Sequence, residues 1–573
     1  MSAPVTNLAA DRLVISLDFG TTYSGVAYAF NVPGKKADIV PIHEWPGLEG
    51  YRQPKVPTLI MYDKNDPSKF KWGGQVTWRE PAVHGVKLLL DPDQPKPKYL
   101  PASSFENDRN ALDKDPVDVA ADFLGAIYKH ALSIVESSTV REYFRFCQKD
   151  FVLSVPAVWS DKAKDLTLKA AKKAGIHPVT LIKEPEAAAL YTLSTYDHTI
   201  TAGDSFVLCD AGGGTVDLIT YQIKKILPYL ELAELVPGDG GMAGSLGLNK
   251  LFEETVKDMV GAKQFTTLKD SVGWSKALNE FDKTIKTGFN GDTTDSYFVT
   301  FPMAKLEDNP AKGLFGNCWE MTSDILQGVF DPIIEDILQL VDNQVQAARR
   351  KRGGRRLKGI FLVGGFGSNR YLKRRLHEVY EPQGIQVIQP HDSWGAIVNG
   401  SALSRVSNRA TVISTQAVRH YGVSSMCQFD PLIDQGRQTT WFPQHGFYMV
   451  EKLTWYIYKG EDLKRDQTIK FPFVRTLKQG FTPINLLFTD TLYYSEATVA
   501  PTYPGPQVKE CCMISSNLIE VANPRNLVKR TGADGKIYYD LNFNLVISTA
   551  AANMKFSLEF KGQEMGSVEA TYT

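Results

Sequence analysis

The sequence predicts an α/β chain built on a duplicated pair of lobes and followed by a β-rich C-terminal portion. Three observations carry this. The stretches RLVISLDFGTTYSGVAYAF (12–30) and SFVLCDAGGGTVDLITYQI (205–223) repeat one pattern: an apolar β-type run, an aspartate, a short Gly/Thr turn and a second β-type run. A strand-to-helix junction of α/β type follows at GIFLVGG (359–365), with the basic amphipathic stretch GFGSNRYLKRRL behind it. From about residue 409 onward, runs such as LTWYIY, TIKFPFV, NLLFTDTLYY, IYYDLNFNLVIS and MKFSLEFKG alternate apolar and polar residues between Gly, Pro and Asp turns. A domain boundary is therefore expected near 408/409, with residues 1–408 before it and a β-sandwich over 409–573.

Each duplicated stretch reads as a β-hairpin with a glycine-rich tip. Asp18 aligns with Asp210, and Gly20-Thr21-Thr22 with Gly212-Gly213-Gly214-Thr215. Glycine permits positive φ and close approach of bare N–H groups to an anion. Threonine hydroxyls add donors, and an aspartate at the strand end is poised to hold a hydrated Mg²⁺. Either turn alone is equally well read as an ordinary tight hairpin. Two matching turns in one chain imply facing lobes with a triphosphate gripped between them.

Between the two turns, a helix is expected over 160–174. Ser160 is its N-cap, Asp161 and Asp165 sit at the positive end, and Lys172-Lys173 at the negative end, before Gly175. Ala163, Leu166, Ala170 and Ala174 form the face that docks on a sheet. In EPEAAAL (184–190), Glu184 begins a helix whose alanines allow close helix crossing. Further on, Gly364-Gly365 precedes a helix N-terminus, a favourable place for a ligand to pack. The basic run RRKRGGRRLK (349–358) follows the apolar-periodic segment DPIIEDILQLVDNQVQAA. It reads as cations closing a helix C-terminus, in preference to a nuclear-import or nucleic-acid patch.

Composition narrows the class. A chain of 573 residues suggests two to four domains at ~150 residues each. Lysine plus arginine balance aspartate plus glutamate at 64 each, so bulk charge predicts neither nucleic-acid nor anionic-membrane binding. The six cysteines are scattered without a metal-ligand spacing, which suits a reducing cytosol. MSAPVTNLAADR has neither the basic start nor the apolar core of a signal peptide. No apolar run approaches the ~18 residues of a membrane span. A monomer in the cytoplasm is expected, with the nucleus as second choice.

Taken in order, these motifs resemble the 70-kDa heat-shock protein family within the actin, hexokinase and heat-shock ATPase superfamily. LDFGTTYSG is similar to its first phosphate motif, LCDAGGGTVD to its second and LVGGFGSNRYL to its adenosine motif. LSVPAVWSDKAKDLTLKAAKKAGI and IKEPEAAALYTL resemble the stretch between the phosphate loops. The likeness runs from about residue 12 to 403. It implies an actin-like ATPase domain of duplicated ribonuclease-H-like lobes that uses ATP/ADP and Mg²⁺.

The resemblance also assigns roles. Lys87, in VHGVKLLLDP, matches the lysine that reaches the γ-phosphate, and Glu184 a cleft glutamate that positions water and metal. Asp210 contacts the metal shell and orients water, supported by Asp217, with Asp18 on the metal side of the first lobe. Gly20, Thr21, Thr22, Tyr23, Gly212, Gly213, Gly214 and Thr215 form the phosphate turns, Thr215 counted with the catalytic set. Gly244 and Ser245, in GDGGMAGSLGLNKLF, keep a further glycine loop. On the adenosine side, Asp282 and Lys286 occupy the acidic and second basic positions of a Glu-x-x-Lys-Arg pattern, where Ile285 replaces the first lysine. Gly364 and Gly365 lack the usual Ser-Thr-Arg continuation, and Phe366 is expected to pack near the base.

The implied function is a slow Mg²⁺-dependent ATPase of chaperone type, tied to stress response and protein folding, with an unfolded or client polypeptide as partner. The rival reading is a nucleotide-dependent binding scaffold with little turnover. Within the C-terminal part, GEDLKRDQTIKFPF resembles a strand of the family's peptide-binding sandwich. The acidic interdomain linker, helical lid and acidic tail of the family are not recognisable in the sequence.

Overall fold

The computed structural model describes residues 11–77, 80–91, 94, 114–196, 200–406, 410–465, 467–519, 527–549, 554–567 and 569–572. The chain divides into two compact units, Met1–Val412 and Ile413–Thr573.

The first unit is organised by two sheets of matching topology. In the first, β1 (Arg12–Asp18) and β2 (Tyr23–Asn31) are the antiparallel hairpin around the DFGTTYSG turn. Short strands β3 (Val40–Pro41) and β4 (Val56–Pro57) pair with β2. On its other side β1 runs parallel to β5 (Gln148–Val155), which is parallel to β6 (Val179–Lys183). The order is β3-β2-β1-β5-β6.

The second sheet repeats the plan. β7 (Ser205–Ala211) and β8 (Val216–Lys225) make the DAGGGTVD hairpin, and β9 (Leu230–Gly241) extends it. β10 (Gly359–Val363) and β11 (Gln386–Ile388) add in parallel on the other flank of β7. In each sheet an aspartate lies at or next to the end of the first strand: Asp18 pairs with Gly25, and Asp210 with Asp217. The parallel strands read as continuous apolar runs because helices cover both faces.

Those helices start where their caps demand. α1 (Pro116–Ser137) has Asp115 accepting from the Val117 N–H. α2 (Asp161–Lys173) has Ser160 accepting from the Ala163 N–H and ends before Gly175 at φ +82°. Its buried face is Ala163, Thr167, Ala170 and Ala171. The expected Leu166 is only partly buried, and Thr167 turns inward by donating its hydroxyl to the Ala163 carbonyl. α3 (Glu184–Thr195) is the EPEAAAL helix, α4 (Leu246–Val260) follows Ser245, and α5 (Ser323–Lys351) ends in Arg349-Arg350-Lys351 before the positive-φ pair Gly353-Gly354. α6 (Arg370–Tyr380) and α7 (Ala396–Leu403) complete the frame. α7 crosses α3 closely: a Cβ on Gly400 would lie 1.7 Å from the Ala187 carbonyl oxygen.

The second unit is β-rich. Its strands are β12 (His420–Gln428), β13 (Thr439–Phe442), β14 (Phe447–Ile457), β15 (Thr468–Lys478), β16 (Leu487–Ser495), β17 (Lys509–Asn517), β18 (Val528–Thr531), β19 (Ile537–Thr549), β20 (Met554–Phe560), β21 (Gln563–Ser567) and β22 (Glu569–Tyr572). They form one sheet of order β13-β14-β12-β16-β17-β22 and another of order β15-β19-β20-β21, with β18 beside β19. Tyr421, Val423, Ile457, Leu492 and Ile514 of the first sheet share one core with Leu541, Phe543, Leu545, Ile547 and Leu558 of the second. The alternation in the sequence is thus an inward apolar set and an outward polar set.

Candidate functional site

The two glycine turns of the first unit meet tip to tip. A Cβ on Gly213 would lie 2.3 Å from Thr22 Oγ1, and one on Gly214 2.6 Å from Thr21 Oγ1. Glycine is required here by the neighbouring turn, and φ is not the constraint. A third turn locks onto the second. Ser245 N–H donates to the Gly212 carbonyl at 3.1 Å and Leu246 N–H to Gly213 at 2.8 Å. A Cβ on Gly244 would sit 2.4 Å from the Gly214 carbonyl carbon.

Beneath the turns lie four buried carboxylates, Asp18, Glu184, Asp210 and Asp217, and two buried lysines, Lys55 and Lys87. Lys87, in a short 3₁₀ helix (Val86–Leu90), pairs with Glu184 at 2.5 Å, and its ammonium stands 5.5 Å from the Trp159 ring. Burial pushes Glu184 up to about 7, because the pull of Lys87 only partly offsets desolvation and Asp18 and Asp217 add repulsion. Asp18 accepts from Lys55 at 2.6 Å and from the Ser154 hydroxyl at 2.8 Å. Burial raises its carboxyl, but Lys55 and Lys87 outweigh this and hold it below the usual carboxylate range.

Asp217 Oδ1 accepts from the backbone N–H groups of Ala157 (2.7 Å) and Val158 (3.4 Å), which is what the VPAVW stretch supplies. Burial raises Asp217 above its ordinary value despite these bonds, the Thr215 hydroxyl and Lys87. Asp210 is pushed well above the carboxylate range by burial, then by Glu184 and Asp217. Its Oδ1 is buried and accepts no hydrogen bond from the described residues. That oxygen lies 2.4 Å from where a Cβ on Gly364 (φ +88°) would stand, so Gly364 opens space beside it.

Among the described residues no three His, Cys, Asp or Glu side chains form a cluster that could hold a metal ion unaided. Of the three aspartates assigned to a metal from the sequence, Asp18 has both oxygens engaged and Asp217 clamps backbone. Only Asp210 keeps an unengaged buried oxygen. Mg²⁺ that arrives on phosphates and retains its waters needs one or two carboxylates. Asp210 fits that requirement.

The adenosine side departs further from expectation. Asp282 lies in a π-helical stretch (Phe281–Ile285), and its carboxylate pairs with the Lys286 ammonium one turn on. Lys286 also donates to Asn249 Oδ1 at 3.0 Å and to the Ser245 carbonyl at 3.3 Å. Burial pulls the Lys286 ammonium below its ordinary value even against Asp282. Ile285 points into the core. Phe366 does not line a base pocket: Gly365 turns helically, and the ring is buried in the core containing Leu362, Tyr371 and Leu372. Nearby, Tyr23 stands against Trp394, edge to face at 5.4 Å, with Gly365 beside the indole. Burial raises the Tyr23 phenol, and Asp282 adds to the shift.

Sequence reasoning missed Lys55, Asn249 and Trp394. Asn249 stands four residues after Ser245, the residue that precedes α4, a spacing visible in the sequence. No local signal marks the other two.

Residues 201–389 match the model of a family described as Domain of unknown function (DUF8340). Heat shock 70 kDa protein 12A of Mus musculus is 24% identical to this chain, the alignment covering 89% of the chain and 85% of that protein. Heat shock 70 kDa protein 12B of Homo sapiens is 23% identical over 74% of the chain and 72% of its own length. Chaperone protein HscA of Proteus mirabilis (strain HI4320) is 27% identical over 37% of the chain and 33% of its own length. Together with the two facing glycine turns, these similarities support reading the chain as a divergent relative of the 70-kDa heat-shock protein family.

Proposed function

We propose that residues 11–412 bind ATP and ADP between two lobes, each carried by one of the duplicated sheets, and hydrolyse ATP slowly. The observation that carries this reading is the apposition of Gly213 with Thr22 and of Gly214 with Thr21 over buried lysines and carboxylates. Phosphoryl transfer asks a protein for positioning and charge neutralisation rather than a strong base. Backbone N–H groups and the Thr21, Thr22 and Thr215 hydroxyls hold phosphate oxygens. Lys87 supplies the cation for the transferred group. Glu184, paired with it, orients the attacking water, and Asp210 and Asp217 fix the far side. Bound with nucleotide, Mg²⁺ supplies further charge neutralisation, anchored at Asp210.

The test is nucleotide titration of the full chain followed by turnover in the same buffer. Asp210→Ala is expected to abolish phosphate release and keep the melting temperature, and an unchanged rate refutes the assignment. Binding without turnover in the wild-type chain establishes the scaffold reading, which the self-satisfied Asp282–Lys286 pair favours.

We further propose that the second unit binds extended client polypeptide. Support comes from the chaperone relatives and from edge strand β13, where Trp441 (49% exposed) packs edge to face on Tyr448 (53% exposed). Among the described residues no helix is long and apolar enough to cross a membrane. All six cysteines are free, and we place the chain in the cytosol.

A further inference from the structure

Lys55 lies outside every motif of the sequence, yet it reaches the centre of the site. It precedes β4, whose Val56 and Pro57 pair with Ser24 and Tyr23. Thr58 ties the same segment to the first turn: its N–H donates to the Thr22 carbonyl at 2.8 Å and its hydroxyl to the Gly20 carbonyl at 2.9 Å. The lysine stem crosses over Gly25, the residue opposite Asp18 in the hairpin. A Cβ there would lie 2.9 Å from the Pro54 carbonyl oxygen and 3.1 Å from Lys55 Cγ, so glycine clears the path.

The ammonium ends 2.6 Å from Asp18 Oδ2, with 5% of the residue exposed. Asp210 and Glu184 also lie within its electrostatic reach. A buried lysine brought this far by a dedicated path is a fixed positive charge at one wall of the phosphate cleft. It neutralises the carboxylate that would otherwise call for a bound cation, and Ser154 fills the remaining oxygen of that carboxylate. No three acidic or soft side chains remain grouped for a metal among the described residues.

We propose that Lys55 serves as a built-in cation of the phosphate site, holding the Asp18 side in place of a divalent ion, so that a nucleoside di- or triphosphate binds there without Mg²⁺. The inference rests on the nucleotide-site reading above. It separates binding from turnover: binding draws on Lys55 and Lys87, and metal dependence is confined to hydrolysis at the Asp210 side.

The experiment is equilibrium titration of the full chain with ADP and with ATP, in excess Mg²⁺ and in excess EDTA. Wild-type affinities are expected to agree in the two buffers. Lys55→Met keeps the stem and removes the charge. In EDTA it should bind about 10- to 100-fold more weakly than wild type, the worth of a hydrogen bond from a charged donor. Mg²⁺ should recover most of that loss, because Asp18 is then free for a cation. If that variant melts early, Lys55→Gln, which keeps a hydrogen-bond donor towards Asp18 and removes the charge, replaces it, with the same loss expected in EDTA. Wild-type binding that falls by about tenfold or more in EDTA overturns the proposal. So does a folded Lys55 variant that binds in EDTA as tightly as wild type, which leaves Lys55 a structural ion pair. Absence of binding in both buffers instead refutes the nucleotide site itself.

Discussion

Gly213→Ala is the sharpest probe of the paired turns, because it changes one methyl group and nothing else. Gly213 is not among the glycines at positive φ, so alanine adds no backbone strain. The new Cβ would meet three atoms of Thr22: Oγ1 at 2.3 Å, Cγ2 at 2.5 Å and Cβ at 2.9 Å. Rotating Thr22 about χ1 moves the first two and leaves the third, so side-chain adjustment cannot clear the space. Ordinary contact begins near 3.4 Å, so the fixed Thr22 Cβ at 2.9 Å by itself forces the turns to part by about 0.5 Å.

An empty cleft relieves this by separating the turns. A phosphate gripped from both sides requires them together, so the cost falls on the bound state. Overpacking of this kind costs about 1–3 kcal/mol, equivalent to a roughly 5- to 150-fold loss of ADP affinity. Thr22→Gly removes all three offending atoms. In a double-mutant cycle read by ADP titration, Gly213→Ala in the Thr22→Gly background should cost almost nothing. Additivity within about 0.5 kcal/mol refutes the claim that the turns face each other across the phosphate.

Two further outcomes are expected. Glu184 is held near 7, above its ordinary 4.5, so the fold favours its protonated form. Stability linked to it is full below about pH 4.5 and is lost as pH rises through 7, by about 3 kcal/mol in total. Glu184→Gln removes that slope, and denaturant titrations of variant and wild type should converge or cross as pH rises; parallel profiles refute the assignment. Turnover runs the other way, rising through pH 7 as the carboxylate forms, and should lose that rise in the variant. In the second unit, Trp441→Ser with Tyr448→Ser should weaken binding of an unfolded model peptide by about tenfold or more. Unchanged anisotropy titrations move the client site off this edge.

What the sequence made legible was local. The glycine turns, the Ser160 cap and the period-2 runs of the C-terminal unit depend on neighbours a few residues away, and the structure has hairpins, a helix start and strands there. What it hid depends on register. Lys87 and Glu184 are 97 positions apart, and their pairing follows from where α3 begins against the 3₁₀ turn at Val86–Leu90. Lys55 reaches Asp18 only because β4 adds to β2, which no pattern in QPKVPT announces. Phe366 was misread because a glycine pair suggests ligand approach, whereas Gly365 turns the next ring into the core. Leu166 yielded to Thr167 for a similarly small reason, a hydroxyl satisfied by its own helix.

The six charged groups of the site sort themselves by what already holds them. Lys87 with Glu184 and Lys55 with Asp18 are two ion pairs of 2.5 and 2.6 Å, and breaking either strands a buried charge. Asp217 is spent on the Ala157 and Val158 N–H groups and so fixes the VPAVW stretch beneath the second turn. Asp210 is left with an unsatisfied buried oxygen facing the space that Gly364 keeps open. Buried polar atoms are rarely left without a partner, and the five neighbouring groups are all engaged. Asp210 Oδ1 is therefore the atom of this cluster with capacity left for a ligand. On the proposed reading, the interaction special to the bound state falls at Asp210, with Lys55 and Lys87 as standing charges that prepare the cleft for it.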